Sequence, residues 1–127
     1  MTTATPERTA PRIGQIIPVE VRDVDPNEPI FDGIDTTSGP RFSTAEVAKF
    51  FFGKSSHWMR WRERSGQFSF DGEFVSPERS SNIRSYTLGD IENLAKALAE
   101  HEAINPQQLI YALRLLSVQG KINRLIA

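Results

Sequence analysis

The sequence predicts a mainly α-helical fold that contains a helix-turn-helix and a small β-hairpin. Three observations support this prediction. Two short helix patterns are joined by a glycine-led turn at residues 53–55, an Asp71-Gly72 pair stands among phenylalanines, and two longer amphipathic helix patterns follow. The folded part is therefore expected over residues 41–127, as one domain.

Residues 1–40 are expected to form a flexible acidic tail. They hold six of the eight prolines, and their three arginines against seven acidic residues give a net charge of −4. Such a segment buries too little apolar surface to offset the entropy lost on ordering it. Residues 16–22 are the one stretch with an alternative interpretation, as an edge strand or a docked arm. A central strand is excluded there because Pro18 has no backbone amide to donate.

The first helix is predicted to begin at Ser43, which fits a capping box with Glu46. In this motif the two side chains accept hydrogen bonds from backbone amides of the first turn. Gly53 ends the helix, and Ser55 caps a second helix that runs to about residue 65. A turn this short makes the two helices cross at a steep angle.

Residues 67–86 are predicted to contain β structure. Asp71-Gly72 is a strong hairpin signal, and the apolar residues around it are Phe68, Phe70, Phe74 and Val75. Residues 77–82 read as a loop, and a strand is expected over residues 83–86.

Two amphipathic helices complete the predicted fold. Thr87 caps the first of them, and Asn105 caps the second, which has Pro106 at its first position. The apolar face of the last helix is wide, so part of it is expected to be buried in a homodimer, with intramolecular core as the alternative. The residues assigned to the dimer are Tyr111, Leu115, Val118, Ile122 and Leu125.

The second helix is basic and aromatic. The part of the chain from residue 41 onward carries a net charge of +3, and this excess lies within residues 41–86. An exposed basic helix that follows a helix-turn-helix turn suits the major groove of DNA. The alternative is a solvated charged helix with no ligand. Trp61 is expected to lie mostly in the core, with Trp58, Met59 and Arg62 at its boundary.

Residues 53–66 begin with glycine, continue through Met-Arg-Trp-Arg-Glu, and close with glycine. The later residues Pro77, Arg79, Asn82, Arg84, Tyr86, Thr87, Asp90 and Ile91 stand in the order of a wing and its exit. Together these pieces resemble the MerR-type winged helix-turn-helix family over about residues 43–98. Compact excisionases and small regulators of phages and actinobacteria are closest in form. Lys54 replaces an apolar turn residue of the family, and an insertion around residues 68–75 lengthens the wing.

The resemblance implies that the second helix enters the major groove while the wing contacts the flanking backbone. Arg60 or Arg62 is then the expected guanine contact. Acidic Asp71 and Glu73 make the hairpin tip a poor DNA contact. The residues expected to bind double-stranded DNA are Lys54, Ser55, Ser56, His57, Arg60, Arg62, Arg64, Arg79 and Arg84.

This reading predicts a sequence-specific DNA-binding protein, either a transcriptional regulator or an excisionase-like architectural factor. A single helix ends the sequence where the family has a long dimer helix and an effector domain, so no small-molecule ligand is expected. The rival prediction is a protein-interaction module that uses the winged-helix scaffold to bind a host or virion protein.

No enzyme, cofactor or metal site is predicted. The chain has no cysteine, and its two histidines lie far apart in sequence. An acidic group near the end of the third helix is expected to be a solvated face: Glu92, Glu100, His101 and Glu102. The apolar runs are too short for a membrane span, and residues 1–11 lack the apolar stretch of a secretory signal. A cytoplasmic protein is expected, in the host cytoplasm if a phage encodes it.

Overall fold

Four helices and one antiparallel pair of strands make up the computed structural model in the part that it describes, residues 23–66, 75, 77–80 and 83–126. In chain order they are α1 (Thr44–Phe52), α2 (Ser56–Arg64), β1 (Glu78–Ser80), β2 (Ile83–Ser85), α3 (Leu88–Glu100) and α4 (Pro106–Ile126). The predicted class, mainly helical with a small hairpin, is confirmed.

The turn between α1 and α2 follows its local sequence signals. Ser43 and Glu46 form both bonds of the capping box, with the Ser43 amide donating to the Glu46 carboxylate at 2.8 Å. Gly53 ends α1 in the left-handed conformation at φ 65°. The next amide, that of Lys54, donates to the Ala48 carbonyl oxygen at 2.8 Å, as expected for a glycine-terminated helix. Ser55 then caps α2.

The hairpin differs from the prediction. Residues 77–82 were expected to form a loop, but β1 lies within them and pairs with β2, so that Arg79 stands opposite Arg84. β1 has the sequence Glu-Arg-Ser and so lacks the apolar alternation by which a strand is predicted. The predicted Asp71-Gly72 hairpin lies outside the described residues. A bridge between Phe42 and Tyr86 joins the hairpin to the start of α1.

The core lies between the four helices α1, α2, α3 and α4. Thr87 and Asp90 form a second capping box at the start of α3, and Asn105 caps α4 with Gln108. Each large apolar side chain fully removed from water contributes about 1.5–3 kcal/mol. Those with no exposed surface include Val47, Met59, Tyr86, Ile91, Leu94, Leu98, Leu113 and Leu116.

Residues 28–36, here called the strap, pack across α3 and α4. The Glu92 carboxylate is buried and accepts the amides of Ile30 and Phe31 at 2.7 and 3.2 Å, and it pairs with Lys96 at 2.8 Å. The Phe31 ring belongs to the core cluster and covers Gly120 of α4. Two sequence-based expectations are therefore wrong. Residues 23–40 are not all flexible tail, and Glu92 is not part of a solvated face.

An ion pair fixes the residues before the strap to α4. The guanidinium of Arg114 donates two hydrogen bonds to the Asp23 carboxylate, one of them from Nε at 2.9 Å. These bonds, with help from the Val24 amide, lower the pKa of Asp23 to about 2. Composition alone missed this attachment, because single long-range contacts order a segment whose average apolar content is low.

Candidate nucleic-acid interface

Helix α2 presents two arginines on one exposed face. Arg60 and Arg64 are four residues apart, so their side chains emerge within about 40° of each other around the helix axis. Both are exposed, and His57 lies on the same face one turn earlier. The opposite side of α2 contributes its one fully buried residue, Met59, to the core.

A groove of about 470 Å³ runs beside this face. The first turn of α1 forms one wall, the second half of α2 another, and the hairpin the third. Its four arginines outnumber its single glutamate, and the N-terminus of α1 adds partial positive charge. The lining residues are Ser43, Thr44, Ala45, Arg60, Glu63, Arg64, Arg79, Ile83 and Arg84. The groove is therefore suited to an anionic ligand.

One ion pair joins α2 to the hairpin within this groove. The Arg84 guanidinium donates to the Glu63 carboxylate at 2.8 Å, and both side chains are less than a third exposed. Tyr86 is fully buried nearby. Burial raises the pKa of the Tyr86 hydroxyl, and the neighbouring side chains of Thr44 and Arg84 offset this only in part. The phenol therefore stays neutral.

Arg62 lies on the other side of α2 from Arg60, about 160° away around the helix axis. Its guanidinium stacks 5.1 Å from the centroid of Trp58 and 4.9 Å from that of Trp61. Trp61 is 49% exposed, so the expectation that it lies mostly in the core is wrong. Met59 fills the space beneath α2, and the Arg62 guanidinium covers the indole of Trp61 instead.

The residues at the start of α2 form a separate group. The Lys54 ammonium lies 5.7 Å from the Trp58 ring, and the Ser55 hydroxyl accepts the Trp58 amide at 3.2 Å. Ser56 is half-buried, whereas Lys54, Ser55 and His57 are exposed. The predicted DNA-binding residues thus fall into two sets. The groove brings together Arg60, Arg64, Arg79 and Arg84, while Lys54 and Arg62 gather around Trp58.

Helix α4 separates its apolar residues onto two faces. Leu109, Ala112, Leu113 and Leu116 are buried in the core. Three of the residues predicted for a dimer are exposed, namely Tyr111, Val118 and Ile122. Leu115 is half-buried, and the side chain of Leu125 lies outside those described. An exposed apolar strip therefore follows the outer side of α4.

Sequence reasoning missed two parts of the groove. The α1 N-terminus was recognised as a cap but not as a wall, and the Glu63–Arg84 pair joins residues 21 positions apart in sequence. Neither has a local signal, because both depend on how α1, α2 and the hairpin pack. Within the described residues, no group of three or more acidic, histidine or cysteine side chains could hold a metal ion. No described helix is both long and apolar enough to span a membrane.

Comparison with known proteins gives one result. Residues 35–119 match a family model described as "Domain of unknown function (DUF7229)". No curated protein and no solved structure matches the chain. The matched segment contains α1, α2, the hairpin, α3 and most of α4, and hence every residue that lines the groove. The chain belongs to the DUF7229 family.

Proposed function

We propose that this chain is a double-stranded DNA-binding protein whose α1, α2 and hairpin act as a winged helix-turn-helix of the MerR type. One observation carries the proposal: the exposed Arg60 and Arg64 of α2 and Arg79 of the hairpin line the same groove. In winged helix-turn-helix proteins the second helix and the wing contact DNA together, and three convergent guanidinium groups suit a phosphodiester backbone.

The arginines have different roles in this proposal. Arg64 and Arg79 neutralise phosphates, which makes affinity depend steeply on salt. Arg60 contacts a guanine in the major groove, because its side chain lies midway along the exposed face of α2. Arg62 is the less suitable reader, since its guanidinium stacks on two indoles on the other side of the helix. It orients α2 rather than reading a base.

We further propose that two copies pair through the outer strip of α4. The residues Tyr111, Leu115, Val118, Ile122 and Leu125 are spaced alternately by four and three, the period of a coiled-coil seam. A two-fold dimer would place two α2 helices on half-sites about one helical turn apart. Such a protein would act as a transcriptional regulator or an excisionase-like architectural factor in the cytoplasm.

The second candidate function is a protein-interaction module. The half-exposed indole of Trp61, with the Arg62 guanidinium stacked on it, favours this alternative. Tryptophan and arginine are the residues most enriched at the energetic centres of protein interfaces. Loss of a partner complex in Trp61→Ala, with duplex binding unchanged, would support it.

The experiment is a fluorescence-anisotropy titration of labelled random duplex DNA over a range of salt concentrations. Arg64→Ala and Arg79→Ala should each lower the slope of log affinity against log salt by about 0.9 for each protomer bound, the value for one lost phosphate contact. Lys121→Ala is the matched control, because it removes one exposed positive charge on α4, outside the groove. The slope of this control should equal that of the wild type.

Sequence specificity is tested by selecting a preferred duplex from the pool. Arg60→Ala should lose about 1–3 kcal/mol of discrimination at one base pair while binding random duplex almost as well as before. Absence of wild-type binding even at low salt would refute the proposed function and leave the protein-interaction module as the better account.

A further inference from the structure

The groove contains one carboxylate among the described residues that line it, and this carboxylate is already paired. Glu63 lies one position before Arg64 on α2, and its Oε1 accepts from Nη1 of Arg84 at 2.8 Å. The Arg84 side chain is 19% exposed and that of Glu63 is 27% exposed. Ion pairs of limited exposure are screened less by salt than those on an open surface.

The two facing arginines of the hairpin lie in different environments. Arg79 and Arg84 stand directly opposite in the strand register, yet Arg79 is exposed while Arg84 is drawn toward α2. The hydroxyl of the buried Tyr86 lies within hydrogen-bonding reach of the Arg84 side chain. Arg84 is therefore held between Glu63 and Tyr86.

We propose that Glu63 is a specificity-determining residue of the groove, which holds Arg84 against α2 and so withholds that cation from the DNA backbone. The inference rests on the proposed function. A cation that reaches phosphate adds the same affinity for every sequence, whereas specificity is the difference between the affinities for preferred and random sites. Holding Arg84 in an ion pair limits non-specific binding and leaves the base contact of Arg60 to decide between sites.

The ion pair also fixes the angle between the hairpin and α2, the helix proposed to contact the bases. Glu63 belongs to α2 and Arg84 to β2, and the other described ion pair of the hairpin joins Glu78 to Arg41, a residue just before α1. A fixed angle means that α2 and the hairpin are already arranged for one geometry of duplex. Preorganisation of this kind reduces the entropy lost on binding.

The test compares Glu63→Gln, Arg84→Gln and the double variant Glu63→Gln/Arg84→Gln in the salt titration of random and selected duplex. Glu63→Gln should steepen the salt slope by about 0.9 for each protomer bound. For each tenfold decrease in salt, the affinity of one protomer for random duplex should therefore rise about eightfold more than that of the wild type. The ratio of selected to random affinity should fall. Glu100→Gln is the control, because it removes an exposed carboxylate at the end of α3, outside the groove.

The other variants separate this role from a general structural one. Arg84→Gln leaves Glu63 without its cation and should weaken binding to every duplex, whereas the double variant should return the slope to the wild-type value. A purely structural pair would instead lower affinity in all three variants, with no recovery in the double. That result, or a Glu63→Gln slope equal to that of the wild type, overturns the inference while the proposed function stands.

Two further outcomes are decisive. A wild type that binds no duplex at any salt overturns the proposed function and this inference with it. If Glu63→Gln proves unfolded by circular dichroism, the charge-swapped variant Glu63→Arg/Arg84→Glu replaces it. The swap restores the ion pair with its cation now on α2, and it should keep the wild-type slope. A steeper slope in the swapped protein would contradict the role of the pair.

Discussion

Whether Gly120→Ala raises or lowers the free energy of unfolding tests how the strap packs on α4. A Cβ added at Gly120 would lie 2.8 Å from Cε1 of the Phe31 ring and 3.4 Å from its Cζ. Contacts that short do not persist, so the ring would have to move. Phe31 is 9% exposed, and its backbone amide is bonded to the Glu92 carboxylate, which limits how far the ring can shift without breaking that bond.

Two opposing contributions determine how much Gly120→Ala changes the free energy of unfolding. Alanine is favoured over glycine within a helix by about 1 kcal/mol. Loss of the burial of a phenylalanine side chain costs about 1.5–3 kcal/mol. If the ring is displaced from its site, the net effect of Gly120→Ala is a loss of about 0.5–2 kcal/mol in the free energy of unfolding.

Urea denaturation followed by circular dichroism measures this effect in two backgrounds. In the wild type, Gly120→Ala should lower the unfolding midpoint. In Phe31→Ala the ring is absent, so the same change should stabilise the protein by about 1 kcal/mol through helix propensity alone. An increase in stability in both backgrounds would refute the reasoning, because it would mean that Phe31 does not occupy this site.

Three other predictions follow from local features. Gly53→Ala should cost about 1–2 kcal/mol of unfolding free energy, because φ is 65° there while the space around it is open; a smaller loss in Gly53→Asn would confirm that the cost is in the backbone. In Arg114→Gln the pKa of Asp23 should rise from about 2 toward 3.8, as followed by carboxyl NMR. The stability that this pair contributes is fully present above pH 3.8 and is lost as pH falls through about 2. The stability of the variant should therefore not show this decrease. Ile122→Glu should yield a folded monomer in analytical ultracentrifugation where the wild type sediments as a dimer; a monomeric wild type would contradict the proposed seam.

Local signals predicted the elements better than their packing. Ser43, Gly53 and Thr87 mark helix ends because capping depends on residues within one turn, and all three are confirmed. Trp61 was expected to lie mostly in the core, but a helix of nine residues has room for few inward positions and Met59 occupies the central one. The choice between them depends on what α2 faces, which no local pattern reveals.

The same limit applies to the candidate site. The basic character of α2 is visible in the sequence, and so is its capping at Ser55. That Arg60 lies beside the groove while Arg62 stacks on tryptophan follows from which side of the helix is buried. The attachment of Phe31 is equally non-local, since its partner Glu92 is 61 residues away.

Most of the strap lies outside the segment that matches the family, and a fragment limited to that segment would lose that part. The matched segment begins at residue 35 and ends at residue 119, which leaves both Phe31 and Gly120 just outside it. A fragment cut at those limits would lose the ring and the two amides that Glu92 accepts. That carboxylate would then face water across an uncovered patch of α3 and α4. During synthesis the strap emerges before α3 and α4, so its contacts with Glu92 and Gly120 can form only after those later helices have been made.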